Sequence, residues 1–180
     1  MGGVDVVGVL LAAGAGRRYG SPKVLAHGGA WLRTAVAALT EGGCAGVLVV
    51  LGAAIPDDLP AGVSTVVGDD WARGMGASLR AGLAAVAPTA ATHALVQLVD
   101  TPDVGADVIA RVLCGGAELA RAAYDGKPGH PVLLARQHWA AVRRSASGDQ
   151  GAREFLRSRD DVVLVECGDL ATGRDHDLPD

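Results

Sequence analysis

The chain has 180 residues, 49% of them hydrophobic but only 3% aromatic, with 26 glycines and 16 Lys+Arg against 20 Asp+Glu for a net charge of −4. That length suits one domain, residues 1–180, with a core of Ala, Val and Leu packed around small residues, and the absence of any basic run excludes nucleic acid and anionic membranes as partners. No apolar run approaches the roughly 20 residues that span a bilayer, and Met1–Gly3 lead into a strand-like run without a basic n-region or cleavage site, so no signal peptide and a cytoplasmic location are expected.

Val4–Ala12 is a nearly continuous Val/Leu run, the pattern of a strand buried on both faces of a parallel sheet. A Gly-rich loop spans Ala13–Ser21, and Leu32, Val36 and Leu39 then mark a helix that stops at Gly42-Gly43. Strands follow at Gly46–Leu51 and Val63–Val67, joined through Ile55–Pro60. A second loop, Gly68–Gly76, opens a helix carrying Leu79, Leu83 and Val86 on one face and ending near Pro88. His93–Val99 is another buried strand, stopped by Asp100-Thr101-Pro102-Asp103, and Ala106–Leu113 has helical spacing. Leu119–Tyr124 and Val132–Ala135 read as strands around a Gly126–Pro131 turn, Gln137–Ala146 and Gly151–Arg159 as helices, Val162–Glu166 as a last strand, and Asp169–Asp180 as a polar tail. This alternation predicts a single three-layer, doubly wound α/β domain of Rossmann-like type with a mostly parallel sheet. Cys44, Cys114 and Cys167 fit neither a disulfide framework nor a CxxC metal site and are expected to be reduced thiols.

Doubly wound sheets bind ligands beyond the carboxyl ends of their strands, so the loops after the first, third and fourth strands carry the functional argument. After the first strand stands Leu11-Ala12-Ala13-Gly14-Ala15-Gly16-Arg17-Arg18-Tyr19-Gly20-Ser21-Pro22-Lys23. Its glycines let the backbone turn with N–H groups inward, a cradle for phosphate oxygens. The third glycine comes one residue late for GxGxxG, and the GK[ST] ending of a Walker A loop is missing. Arg18 and Lys23 are placed to meet a polyphosphate, the first as a bidentate fork and the second as a mobile point charge. A Gly-rich turn with solvated cations is the plainer alternative. Gly74 and Ser78 stand where a helix start offers free N–H groups to ribose or phosphate, although Ser78 also suits an ordinary N-cap. Asp100 ends a buried strand and is the first choice to hold a hard cation, since Mg²⁺ takes one or two carboxylates plus substrate oxygens and waters; a helix N-cap is the competing role, which Asp103 fits as well. No Ser-His-Asp elbow, HExxH or catalytic-Cys pattern is present.

The string LAAGAGRRYGSPK resembles the LAAGxSxRMGxPK signature of the MobA-like nucleotidyltransferases, most closely their molybdenum cofactor cytidylyltransferase branch. Gly16 replaces the usual Ser and Tyr19 the usual Met, while both charges remain. Gly74–Gly82 is similar to the family's GMGxSLRxG, Leu98–Pro102 to its LxDxP, Gly129–Val132 to GHPV and Gly148–Arg153 to GDxGAR; Asp175–Asp180 is similar to DIDTPED with His and Leu as departures. The resemblance implies nucleotide binding by Leu11, Ala12, Ala13, Gly14, Gly16, Arg18, Lys23, Gly74 and Ser78. It implies catalysis by Arg18, Lys23 and Asp100, and Mg²⁺ on Asp100 and Asp177. His130 and Asp149 become acceptor-side candidates, though His130 on a turn could serve packing and Asp149 could pair with Arg153.

The implied reaction is transfer of CMP from CTP to the terminal phosphate of the molybdenum-pterin cofactor with release of pyrophosphate, the product passing to a molybdoenzyme or chaperone partner. The alternatives are guanylyl transfer to the same cofactor, cytidylyl or guanylyl transfer to another phosphorylated metabolite, and a non-catalytic nucleotide-binding or cofactor-chaperone module. A dehydrogenase fits least, because the loop spacing is wrong and no acidic residue closes the second strand near Leu51.

Overall fold

The computed structural model describes residues 5–179. Its seven strands are β1 (Val6–Leu11), β2 (Gly46–Leu51), β3 (Ser64–Val67), β4 (His93–Leu98), β5 (Leu119–Tyr124), β6 (Lys127–Ala135) and β7 (Val163–Glu166), in one sheet ordered β3-β2-β1-β4-β6-β5-β7. Only β6 runs against the rest among the described residues. The expected start of the first strand at Val4 lies outside the described residues.

The helices are α1 (Ala26–Glu41), α2 (Met75–Val86), α3 (Ala106–Cys114), α4 (Arg136–Ser145) and α5 (Arg153–Arg157). Alternate residues of each central strand enter opposite layers, as strand geometry requires. Val6 and Leu10 of β1 join Leu32 and Leu39 of α1 and Ile109 of α3 in one core. Val9 and Leu11 join Leu79 and Leu83 of α2 and Trp139 of α4 in the other. This is the expected three-layer, mostly parallel α/β arrangement. The chain moves outward from β1 to β2 and β3, then returns to β4 on the other side of β1, which opens a crevice between the carboxyl ends of β1 and β4.

Several local expectations change. The expected Gly126–Pro131 turn is mostly strand, because β6 begins at Lys127 and the hairpin turns at Asp125-Gly126. Pro and Gly hid this extension, and they are tolerated because the register between β5 and β6 slips after Arg121, placing Gly129-His130-Pro131 in a bulge. His130 therefore stands on a strand bulge, not on a turn. Regular helix geometry in α1 begins only after His27, Gly28 and Gly29, all with positive φ. The expected helix at Gly151–Arg159 is shorter, Arg153–Arg157, and follows a 3₁₀ turn at Gly148–Gln150. Cys44 and Cys167 are buried, Cys114 is exposed, and all three thiols are free; burial pushes Cys44 up to about 12.

The tail is held along its length. Arg111 donates two hydrogen bonds to Asp169, at 2.6 and 3.0 Å. The backbone N–H and hydroxyl of Thr172 both donate to Asp103 Oδ2, at 2.7 and 2.6 Å, and the His176 N–H donates to the Asp100 carbonyl at 2.9 Å. Asp103 thus anchors the tail and does not cap α3, whose N-cap is Gly105.

Candidate functional site

A cleft of about 690 Å³ lies at the carboxyl ends of β1 and β4, and every candidate residue read from the sequence lines it: Leu11, Ala12, Ala13, Gly14, Gly16, Arg18, Lys23, Gly74, Ser78, Asp100, His130, Asp149 and Asp177. The loop after β1 forms one wall. Gly16 has φ +60°, and a Cβ built on it would fall 1.8 Å from the Ser21 carbonyl oxygen. A side chain there is barred by backbone, so the glycine that departs from the family string is required by this loop's own path.

Lys23 is the hub of the site. Its Nζ donates to Asp100 Oδ2 at 2.7 Å and to Asp177 Oδ1 at 2.9 Å, and Arg18 donates to the other oxygen of Asp177 at 3.1 Å. Burial alone would lower the Lys23 pKa, but hydrogen bonds and charge from both aspartates outweigh it and hold the ammonium above its ordinary value. Asp100 is raised: burial dominates, Lys23 pulls the other way, and Asp175 and Asp177 add repulsion. Asp177 is lowered, chiefly by its hydrogen bond from Lys23.

The tail brings Asp177 here with help from an aromatic cluster. Trp31 of α1 packs against Tyr19 at 5.3 Å, His27 at 5.2 Å and His176 at 5.4 Å between ring centroids. Tyr19 and His176 are departures from two separate family strings, and the fold places both on the same indole.

Asp100 Oδ1 is buried without a hydrogen-bond partner among the described residues. Two carboxylates converging on a cation, one with an oxygen to spare, suit a hard divalent ion that completes its shell with phosphate and water. Among the described residues no group of three or more His, Cys, Asp or Glu side chains could hold a metal by itself. The donor set fits Mg²⁺ shared with a substrate better than a closed protein cage.

The opposite wall is formed by the start of α2 and the 147–150 turn. Gly74, φ +107°, is the N-cap of α2, and a Cβ on it would meet Gly148 O and Asp149 Oδ1, each at 2.6 Å. Ser78 is therefore inside the first turns of the helix, not its cap; it is buried and lines the cleft. With no side-chain cap on α2, its N-terminal N–H groups remain available to an anion. Asp149 stands beside Gly74, and no ion pair joins it to Arg153 among the described residues.

At the far end His130 is pushed down to about 3 by burial first, then by the charges of Arg121 and Arg153. Its carbonyl accepts from the Tyr124 hydroxyl at 2.7 Å. Sequence reasoning missed Arg121 and Trp71 and named Arg153 only as a possible partner of Asp149; all three also line the cleft. The signal for Arg121 was present: it is the lone charged residue in the apolar strand Leu119-Ala120-Arg121-Ala122-Ala123-Tyr124.

Comparison with known proteins agrees with this geometry. The profile of the MobA-like NTP transferase domain matches residues 8–162. A Paenarthrobacter nicotinovorans protein named nicotine blue oxidoreductase is 38% identical over 199 aligned residues, covering 98% of this chain and 96% of its own length. Among solved structures, the Mycobacterium sp. strain JC1 homologue of Mycobacterium tuberculosis Rv0371c aligns with a TM-score of 0.83 at 30% identity, covering 96% of this chain and 90% of that one. Rv0371c from Mycobacterium tuberculosis H37Rv in complex with manganese aligns with a TM-score of 0.71 at 26% identity, covering 97% and 91%.

Proposed function

The chain belongs to the family of MobA-like NTP transferase domains, and from that membership we propose that it transfers CMP from CTP to the terminal phosphate of a small-molecule acceptor, with the molybdenum-pterin cofactor as that acceptor. The observation that carries the proposal is the lock of Lys23 and Arg18 on Asp100 and Asp177 at the mouth of the Gly-rich loop. It brings two cations suited to phosphate and two carboxylates suited to a divalent ion into one cleft. CTP is favoured by the LAAG and GHPV strings, and the molybdenum-pterin acceptor by the resemblance to the cytidylyltransferase branch.

In the reaction an oxygen of the acceptor phosphate forms a bond to the α-phosphorus as the α–β anhydride bond breaks, and the electron pair leaves with pyrophosphate. The loop N–H groups and the cations Arg18 and Lys23 bind the β- and γ-phosphates and stabilise the charge of the leaving group. The α2 N-terminus, uncapped beside Gly74, supports a ribose or phosphate oxygen. The acceptor phosphate is already ionised at neutral pH, so catalysis rests on positioning and electrostatics. Asp100 and Asp177 would hold Mg²⁺, which supplies Lewis-acid polarisation of the phosphoryl oxygens. That the 26% identical neighbour Rv0371c was solved in complex with manganese supports a divalent ion in this reading.

A second reading is favoured by the 38% identical relative whose name is an oxidoreductase: the same inward N–H groups and cations would receive the pyrophosphate of a nicotinamide dinucleotide. Calorimetric titration of CTP, GTP, ATP, NADH and NADPH, with and without Mg²⁺ and with Asp100→Ala, separates the readings. Metal-dependent CTP binding lost in the variant upholds cytidylyl transfer, and GTP preference moves the base assignment. Metal-independent dinucleotide binding with no triphosphate bound replaces the proposal with the redox reading.

A further inference from the structure

Gln97 is the one polar residue in the run Ala94-Leu95-Val96-Gln97-Leu98-Val99, and it is only 2% exposed. Its register partner is Leu10 of β1, so it faces the same apolar layer as Leu10, which joins the sheet to α1 and α3. Burying an amide there is costly, and its Oε1 finds no hydrogen-bond partner among the described residues. What the amide does make is one bond: Nε2 donates to Thr101 Oγ1 at 3.0 Å. The Thr101 hydroxyl, on a side chain that is itself buried, donates in turn to the Leu98 carbonyl at 3.1 Å. A hydroxyl has one hydrogen to give, so with that hydrogen on Leu98 and a lone pair on Gln97 its orientation is fixed.

The stretch closed by that hydroxyl, from Leu98 to Thr101, contains Asp100. Backbone bonds hold its surroundings: the Val99 N–H donates to the Leu11 carbonyl at 3.2 Å, the Val104 N–H to the Thr101 carbonyl at 3.1 Å, and the His176 N–H to the Asp100 carbonyl at 2.9 Å. Thr101 reaches the lining of the cleft, whereas Gln97 lies in the core layer. We infer that Gln97 is a positioning residue for the divalent ion: through the Thr101 hydroxyl it fixes the turn that carries Asp100. The inference rests on the two-carboxylate metal reading of the cleft and adds a residue that never touches the ion. A small hard cation demands near-ideal placement of its oxygens, and the hydrogen-bonded groups that support metal ligands contribute about 10–100-fold in metal affinity.

The test is titration of Mn²⁺ into the full chain, read by loss of the free ion's electron paramagnetic resonance signal, with urea midpoints measured alongside. Gln97→Met keeps the volume and removes the unpartnered oxygen, so the midpoint is expected to hold or rise while Mn²⁺ affinity falls about tenfold. Thr101→Val should lose as much, and Thr101→Ser, which keeps the hydroxyl, should stay within about twofold of wild type. Because the two side chains act as one unit, Gln97→Met combined with Thr101→Val should lose no more than either alone. Mn²⁺ affinity unchanged in Gln97→Met, additive losses in the double variant, or a midpoint that falls together with the affinity each overturns the inference while the metal reading stands. Absence of Mn²⁺ binding to the wild type overturns the metal reading and the inference with it.

Discussion

At the end of the cleft beneath β1 and β4, Lys23 and Arg18 each rest on a carboxylate; at the end walled by β5 and β6, Arg121 and Arg153 rest on none among the described residues. Each end joins a part-buried cation, Lys23 or Arg121, to an exposed one, Arg18 or Arg153, and they differ in whether a carboxylate of the chain meets them. The first end is electrostatically complete within the chain, so a triphosphate must take Lys23 and Arg18 away from Asp100 and Asp177, and the carboxylates released become free for a metal. At the second end no carboxylate offsets the arginines among the described residues, and their charge adds to burial in holding His130 neutral. The contrast predicts an exchange of partners at one end and a pH-sensitive imidazole at the other.

The largest expected effect is at the complete end. Lys23→Met removes the cation from between two carboxylates and from the leaving pyrophosphate, and should slow pyrophosphate release about 10²–10³-fold. Turnover measured under saturating nucleotide checks this. A loss below about tenfold would make the lock merely structural and dissolve the contrast. Next comes Gly16→Ser, which restores the family residue. Because its Cβ meets the Ser21 carbonyl and φ is +60°, the change should destabilise the loop by about 1–3 kcal/mol and weaken triphosphate binding, the reverse of what the family string alone suggests. Equal or tighter nucleotide binding in the serine variant would show that the loop relaxes freely.

A smaller effect is expected where the tail is pinned. Asp103→Ala removes both hydrogen bonds to Thr172, each contributing about 1 kcal/mol. Hydrogen exchange at the Thr172 and His176 amides should quicken, and Mn²⁺ affinity should fall as Asp177 is held less firmly. Unchanged metal affinity with quickened exchange would mean that Trp31, Lys23, Arg18 and the His176 backbone bond suffice to position Asp177.

Much of the fold was legible because its strands announce themselves as unbroken Val/Leu runs, and the loop cations because they sit at fixed distances from glycines that turn the chain. What the residues alone left hidden has a common cause in long-range packing. Asp177 was reached only through the family resemblance, because its own surroundings in sequence give a polar tail; Asp103, Asp100 and Trp31, distant in sequence, hold that tail down. His130 reads as a turn residue because Pro and Gly imitate one, and only the slipped register of β5 and β6 makes it a bulge. Arg121 belongs to no string at all; its significance lies in being the single charge on a strand whose neighbours are alanine and leucine.

The smallest effect tests the incomplete end through pH. His130 has an ordinary value of 6.5 that the folded wall lowers to about 3, so between those values the unfolded chain takes up a proton and the folded chain does not. The stability tied to His130 is therefore fully present above 6.5 and is lost as pH falls toward 3. Asp177 and Glu166 are also lowered, by Lys23 and by backbone N–H groups, but they lose their contribution only on acidification through the carboxylate range. Asp100 is raised and acts in the opposite direction. His93, lowered by burial at the other end of β4, shares the His130 window and remains in both proteins when wild type is compared with His130→Gln. Urea midpoints at about pH 7 and about pH 5 should fall more in the wild type than in the variant. Equal slopes with and without His130 would mean that neither burial nor the arginine charges hold it neutral, and the two ends of the cleft would no longer differ in kind.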